Sequence, residues 1–395
     1  MFAVLTPARK LIARLTILFS ALLLAACEPI SLGPVGGNSG QTIDPAAPVA
    51  VALLVPRGSG NSGDDLLAKN FENAARLAIS DLEGVKVDLR VYGTAGNPAR
   101  AQEAGLQAVA EGAKIIIGPL YAESANAVAV AVAPKNVNVL SFSNNTTIAG
   151  GNLFVLGPTY QNSADRLVQF AARNGKKRIL VAHDNNVAGQ VGAQAIEQAI
   201  AGSGVQLAGK VGYELSQQGV VAAAPNIVQA ARAGSADALF LTANTAGALP
   251  LLTQMLPEQG LSSATTQYIG LSRWDIPAQV LELPGVQGGW FALPDPNMTA
   301  RFQSRYNVAF GGAPHPLAGL AYDGIAAIGA LVKSGRDNAL TTAGLTQKAG
   351  FQGVNGILRL RPNGTNERGL AVAQIKDKQV VVIDPAPRAF GGAGF

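Results

Sequence analysis

The residues of this chain best suited to holding a small polar molecule lie just past short apolar runs rich in β-branched residues. Ala113–Ile117 stops at Gly118-Pro119, and Leu120, Tyr121 and Ser124 follow. Val137–Phe142 leads into Ser141, Ser143 and Asn144-Asn145, while His183-Asp184, Asn244 and Trp274 stand at the ends of three later runs. Hydroxyls, amides and a lone carboxylate in such places point to recognition by hydrogen bonding. In open α/β sheets, ligands sit beyond the carboxyl ends of adjacent strands, facing the free amides of helix N-termini. Ser124 is expected to accept from the first amides of the Ala/Val-rich helix that runs to Pro134. Each residue also has a plainer reading. Ser124 can serve only as a cap, Asn144-Asn145 as a turn, His183-Asp184 as a solvated loop end, and Trp274 as a lid or interface anchor.

Bond-making chemistry has little to work with. The sequence holds neither G-x-S-x-G nor H-E-x-x-H, and its only histidines are His183 and His315. With a single cysteine and no second histidine near either, a metal site is not expected. Gly58, Gly60 and Gly63 do match G-x-G-x-x-G after a strand. Pro56-Arg57 intervenes, however, and the next strand ends in Tyr92-Gly93-Thr94 with no carboxylate for a ribose. We expect a cleft loop there, no cofactor, and a protein that is not an enzyme.

The elements that must position these residues alternate. Val49–Val55 is a strand, followed by a helix with Leu67, Phe71, Ala74, Ala78 and Leu82 on one face. Strand Val85–Tyr92 and helix Pro98–Glu111 come next. After Asn152–Leu156 the pattern restarts with helix Ala164–Arg173 and strand Arg178–Ala182, and it continues to strands Tyr268–Leu271 and Gly289–Leu293. Such alternation predicts parallel sheets with helices on both faces, in two doubly wound lobes. The period then changes. Met298–Phe310 and Leu317–Ser334 read as helices, and Gly356–Leu360, Leu370–Ile375 and Val380–Ile383 read as an antiparallel meander turned by Asn363-Gly364.

Composition fixes the compartment. The 395 residues are 48% apolar and only 14% charged, enough to bury large cores and more than one core usually holds. Arg9, Lys10 and Arg14 precede the short apolar run Leu15–Leu24, as in a secretory signal. Leu24-Ala25-Ala26-Cys27 resembles the lipobox of bacterial lipoproteins, which implies removal of residues 1–26 and a lipid on Cys27. Glu28 stands where the family's inner-membrane retention signal has Asp, so the resemblance favours the outer membrane. Removing 1–26 deletes three cations and lowers the formal net charge from +5 to +2, leaving no basic argument for nucleic acid. Residues 27–48, rich in Pro, Gly, Ser and Asn, read as a flexible tether, and 387–395 as a tail.

The order of elements resembles the type I periplasmic binding fold of the leucine/isoleucine/valine-binding proteins. The stretches AKIIIGPLYAESANAVA, NVNVLSFSNN, KRILVAHDNNVAGQ, ADALFLTAN, LAYDGIAAIGALVKSG and FQGVNGILRLRPNGTNERGLAVAQI carry the resemblance, over roughly Val49–Pro385. It implies three crossings between lobes, with lobe 1 as 49–157 plus 296–350 and lobe 2 as 158–295 plus 351–386. Amino-acid binders of that family hold the ligand carboxylate with lobe 1 hydroxyls, where Ser124 and Ser143 match. They hold the ammonium with lobe 2 carboxylates, for which Asp184 and Asp275 are the candidates. The lipobox, the tether and the closing stretch look most like the penicillin-binding protein activator lipoproteins, which implies a peptidoglycan synthase as partner. The alternative is the substrate-binding lipoprotein of an ABC importer for branched-chain or related amino acids, with a permease as partner.

Overall fold

The computed structural model describes residues 39–391. The signal segment, Cys27, the first part of the tether and residues 392–395 lie outside the described residues. Strand β1 (Val49–Val55) is buried along nearly its whole length, as an unbroken apolar run at the centre of a parallel sheet should be. It is flanked by β2 (Val87–Gly93) and β3 (Ile115–Ile117), and β4 (Asn138–Ser141) and β5 (Leu153–Val155) complete the order β2-β1-β3-β4-β5, all parallel. Helices α1 (Ser62–Ser80), α2 (Pro98–Ala110) and α3 (Ala122–Val132) connect these strands. Asn61 caps α1, and Asn97 caps α2 ahead of Pro98, whose missing N–H costs nothing at a first helical position. Phe71 of α1 stacks on Phe142 with ring centroids 4.3 Å apart, in the core that this sheet shares with a later helix, α9.

The second half begins with α4 (Tyr160–Arg173), closed by a Thr159/Asn162 capping box. Then come β6 (Arg178–Asp184), α5 (Val187–Ala201), β7 (Gln206–Tyr213), α6 (Gln217–Ala233), β8 (Ala238–Leu241), α7 (Leu249–Glu258), β9 (Gln267–Gly270) and β10 (Trp290–Leu293). The chain next forms α8 (Pro296–Phe310), α9 (Gly319–Lys333) and the short α10 (Thr342–Leu345). It ends in β11 (Phe351–Gly353), β12 (Gly356–Leu360), β13 (Asn366–Arg368), β14 (Ala371–Lys376) and β15 (Gln379–Asp384). The second sheet has the order β15-β14-β10-β9-β8-β6-β7, parallel except for β14 and β15. The architecture is therefore the expected two-lobed, mostly parallel α/β fold.

Three features differ in detail from the sequence reading. The closing strands are shared between two sheets: β11-β12-β13 form a small antiparallel sheet, and the hairpin β14-β15 extends the seven-stranded one. The Asn363-Gly364 turn joins β12 to β13, and Gly364, at φ +79°, lies so close to β5 that a Cβ would sit 2.4 Å from Leu153 O. Phe351, Val354, Leu358 and Leu360 pack into the first sheet's core, whereas the sequence reading carried 351–386 with the second lobe. Finally, the end of the tether is pinned. Asn138 donates to Ser39 O (3.1 Å) and Leu340 O (2.9 Å) and accepts from Ser39 Oγ (2.9 Å), and Ile43 is buried in the first core.

The crossings between the halves are held by buried polar groups. Asn366 Nδ2 donates to Val155 O and Gly157 O, both at 2.8 Å. Arg368 bonds Leu156 O at 2.5 Å and the fully buried Asp323 carboxylate of α9 at 3.2 Å. Asp323 also accepts from Val354 N at 2.7 Å. Burial pushes the Asp323 carboxyl above its ordinary pKa, against the pull of Arg368 and of the Val354 amide.

Candidate functional site

The residues expected at the cleft separate into three groups. Tyr121 and Ser124 reach a shared groove. Tyr121 is the residue before α3 and is 41% exposed, and its hydroxyl donates to Asp64 Oδ1 at 2.6 Å, which raises the phenol pKa. Ser124 is not the cap. It lies inside the first turn of α3, fully buried, and its Oγ has no hydrogen-bond partner among the described residues. Leu120 packs half-buried on the first core. Together with Ser59, Asn61, Asp64, Gly96 and Glu123, Tyr121 and Ser124 line a groove of about 610 Å³ at the carboxyl ends of β1, β2 and β3.

A second group is committed to the fold. Ser141 Oγ donates to Pro119 O at 2.8 Å and accepts from Ser143 N at 3.1 Å, while Ser143 Oγ accepts from Asn145 N at 3.1 Å. These hydroxyls shape the β4 turn from inside it, and Asn144 beyond them is exposed. Asp184 is 6% exposed, and its Oδ1 lies so near α5 that a Cβ on Gly189 would sit 2.4 Å away. Its Oδ2 accepts from Thr242 Oγ1 at 3.4 Å. His183, half-buried, has Nδ1 3.0 Å from Asp184 O. Asn244 is exposed, and its Oδ1 accepts from Ala246 N at 3.1 Å, closing its own turn.

Trp274 is neither lid nor interface anchor. It is fully buried in the second lobe's core, with Gly270 and Gly289 against its indole. Its neighbours point the other way. Arg273 and Asp275 form an ion pair, with Nε to Oδ1 at 2.9 Å, and both line a cavity of about 790 Å³ between the lobes. Ile276, Leu293 and Val382 line it from the second lobe, Phe302, Leu317 and His315 from the first, and Arg368 from the third crossing. None of the ten residues expected at the cleft does. Burial lowers the His315 pKa, and its Nδ1 accepts from Leu317 N at 3.1 Å, as the neutral ring requires. No local sequence signal marked this cavity, because Arg273-Trp274-Asp275 lies past the end of β9, where strand alternation no longer fixes which way a side chain faces. A volume of this size with mostly apolar walls and a few polar groups suits a small organic ligand.

A family profile described as "Periplasmic binding protein" matches residues 48–379. The chain belongs to that family. Solved structures agree on the fold of this periplasmic binding protein. A Rhodospirillum rubrum protein assigned to a branched-chain amino acid ABC transporter superposes with a TM-score of 0.70 at 17% identity, over 85% of this chain and 100% of its own. An ABC transporter substrate-binding protein of Desulfitobacterium hafniense, in complex with Leu, gives 0.60 at 18% identity, over 85% and 100%. A Rhodopseudomonas palustris solute-binding protein in complex with 3,4-dihydroxybenzoic acid gives 0.55 at 19% identity, over 86% and 96%. None of the curated protein sequences compared with the chain matches it. Among the described residues, no group of three His, Cys, Asp or Glu side chains could hold a metal, and no helix is long and apolar enough to cross a membrane.

Proposed function

We propose that this protein captures a small organic solute between its two lobes without transforming it, as the substrate-binding subunit of an ABC importer. Branched-chain and related amino acids are the first class to test. The observation that carries this reading is the cavity of about 790 Å³, which both lobes and a crossing build jointly. Membership of a binding-protein family supports it, and so does the fold shared with importer subunits. We take the lobes as 49–157 with 296–360 and 158–295 with 371–386, and the mature chain as lipidated on Cys27 and facing the periplasm; the outer-membrane anchor favoured by Glu28 belongs with the activator reading below. The test is a thermal-shift screen of the full chain in detergent against amino acids, amides and aromatic acids. A ligand that binds only the folded state stabilises it by mass action, by about 2.7 kcal/mol at a hundred times Kd, and so raises the melting midpoint. A hit weakened by Ile276→Asp supports importer function, and silence across the panel refutes it.

One observation favours a second reading, a peptidoglycan synthase activator. Asp275 is paired with Arg273, and Asp184 is enclosed beneath α5, so both second-lobe carboxylates expected to hold an amino acid's ammonium are already engaged or covered. The resemblance of the closing stretch to the activator lipoproteins points the same way. Co-purification with a peptidoglycan synthase, together with faster glycan polymerisation on adding the full chain, would establish it.

A further inference from the structure

His315 stands between Pro314 and Pro316, and all three line the cavity between the lobes. The two proline rings fix the backbone on either side of it, and Pro316 steers His315 itself away from helical dihedrals. Its backbone N–H donates to Oδ1 of the buried Asn70 on α1 at 2.8 Å, an oxygen that also accepts from the Tyr306 hydroxyl at 2.9 Å. Its carbonyl accepts from Ala318 N at 2.9 Å, just ahead of α9. Its ring Nδ1 accepts from Leu317 N at 3.1 Å, so the neutral ring carries its proton on Nε2. Every polar atom of the residue is thus engaged in holding it, except that one. Nε2 has no partner among the described residues, and unlike the Ser124 hydroxyl it is not sealed from solvent.

We propose that His315 reads the solute: its Nε2–H donates to a carbonyl or carboxylate oxygen of the captured molecule, whose acceptor end therefore lies against the first lobe. The inference rests on the solute-binding reading and names the chemistry that the cavity selects, an apolar body carrying an acceptor oxygen. The charged groups around the cavity are otherwise engaged. Arg273 pairs with Asp275, and Arg368 pairs with Asp323 at 3.2 Å. Tyr160, Ser163 and Gln303 also line it, but no hydrogen bond among the described residues holds their side chains in one direction. The imidazole is held. A donor fixed in advance meets its acceptor without the cost of being ordered on binding. Ile276, Leu293, Phe302 and Leu317 supply apolar wall for the rest of the solute.

The test uses the full chain in detergent with isotope-labelled histidine. His183 and His315 are the only histidines, so the spectrum holds two sets of ring signals, and His315→Phe identifies one by its loss. The probes share one branched apolar body: 4-methylpentanamide, 4-methylpentanoate and leucine carry an acceptor oxygen, and isopentylamine carries none. Calorimetry reads binding, and magnetic resonance reads the ring. The three acceptor probes are expected to bind and to shift the His315 signals, and isopentylamine to do neither. His315→Phe keeps the bulk of the ring and should weaken binding roughly two- to tenfold, the worth of one hydrogen bond. His315→Gln, which returns an amide N–H near the place of Nε2, should recover part of that loss. Acceptor probes that bind and leave the His315 signals in place would overturn this inference and leave solute capture standing, and so would isopentylamine binding as tightly as the amide. Both readings are made on the parent chain and need no variant to fold. Silence from every probe would overturn the inference together with the reading beneath it.

Discussion

Arg368→Met is the most informative single change, because it strips the Asp323 carboxylate of its ion-pair partner, for which the described residues offer no substitute. Asp323 is fully buried, and its oxygens meet Arg368 Nη1 at 3.2 Å and Val354 N at 2.7 Å. Removing one partner of a buried ion pair typically costs about 3–5 kcal/mol. The lost bond to Leu156 O adds about 1 kcal/mol that does not depend on pH. The rest does. In the parent, burial already raises the Asp323 carboxyl above its ordinary value of 3.8, and losing Arg368 raises it further. A folded-state pKa above the unfolded one gives stability that is present at low pH and lost as the pH rises through the folded value. Between the unfolded value of 3.8 and the folded value the slope of the loss is about 1.4 kcal/mol per pH unit, and above the folded value it is flat. Arg368→Met should therefore be mildly destabilised near pH 5 and strongly so near pH 8, as read by urea titration followed by circular dichroism. The double variant Arg368→Met/Asp323→Leu should recover most of the loss and be flat in pH, since a well-packed apolar pair often replaces a buried ion pair at no net cost. An equal cost at both pH values, or a double variant no better than the single, would refute the reasoning.

Three further outcomes are expected. Asn138→Ala removes the three bonds that tie Ser39 and the Leu340 carbonyl to β4, so it should lower stability by about 2–3 kcal/mol and speed amide exchange at Thr342, whose N–H bonds Ser39 O. Gly270→Ala would place a Cβ 2.2 Å from the Trp274 indole nitrogen, and the overpacking should cost about 1–3 kcal/mol by chemical denaturation. His315, whose pKa is lowered by burial, contributes stability that is present above 6.5 and lost as the pH falls through its folded value. Stability measured across about pH 4–7 should lose that step in His315→Gln, and an unchanged profile would show that the ring is solvated.

The sequence determined what short range can determine. Apolar runs of strand length alternating with 3.6-residue periodicity specified two parallel α/β lobes, because each element's burial pattern is written along its own few residues. Pro98 marked the start of α2 on the same ground, whereas the Thr159 cap starts α4 at Tyr160, ahead of the Ala164 that periodicity gave. Which side of a strand end meets solvent was not written there. Trp274 and Arg273 are adjacent in sequence, and only the packing of Gly270 and Gly289 on the indole decides that the ring turns inward and the guanidinium toward the cavity. Ser141 and Ser143 look like ligand hydroxyls until the Pro119 carbonyl and the turn amides occupy them. The clasps that hold the lobes and the strap join residues far apart in the chain: Ser39 meets Asn138 across 99 positions, and Arg368 meets Leu156 across 212. A buried polar group is stable only beside its partner, and no local pattern names a partner at that distance. The cavity between the lobes likewise exists only once all three crossings have closed.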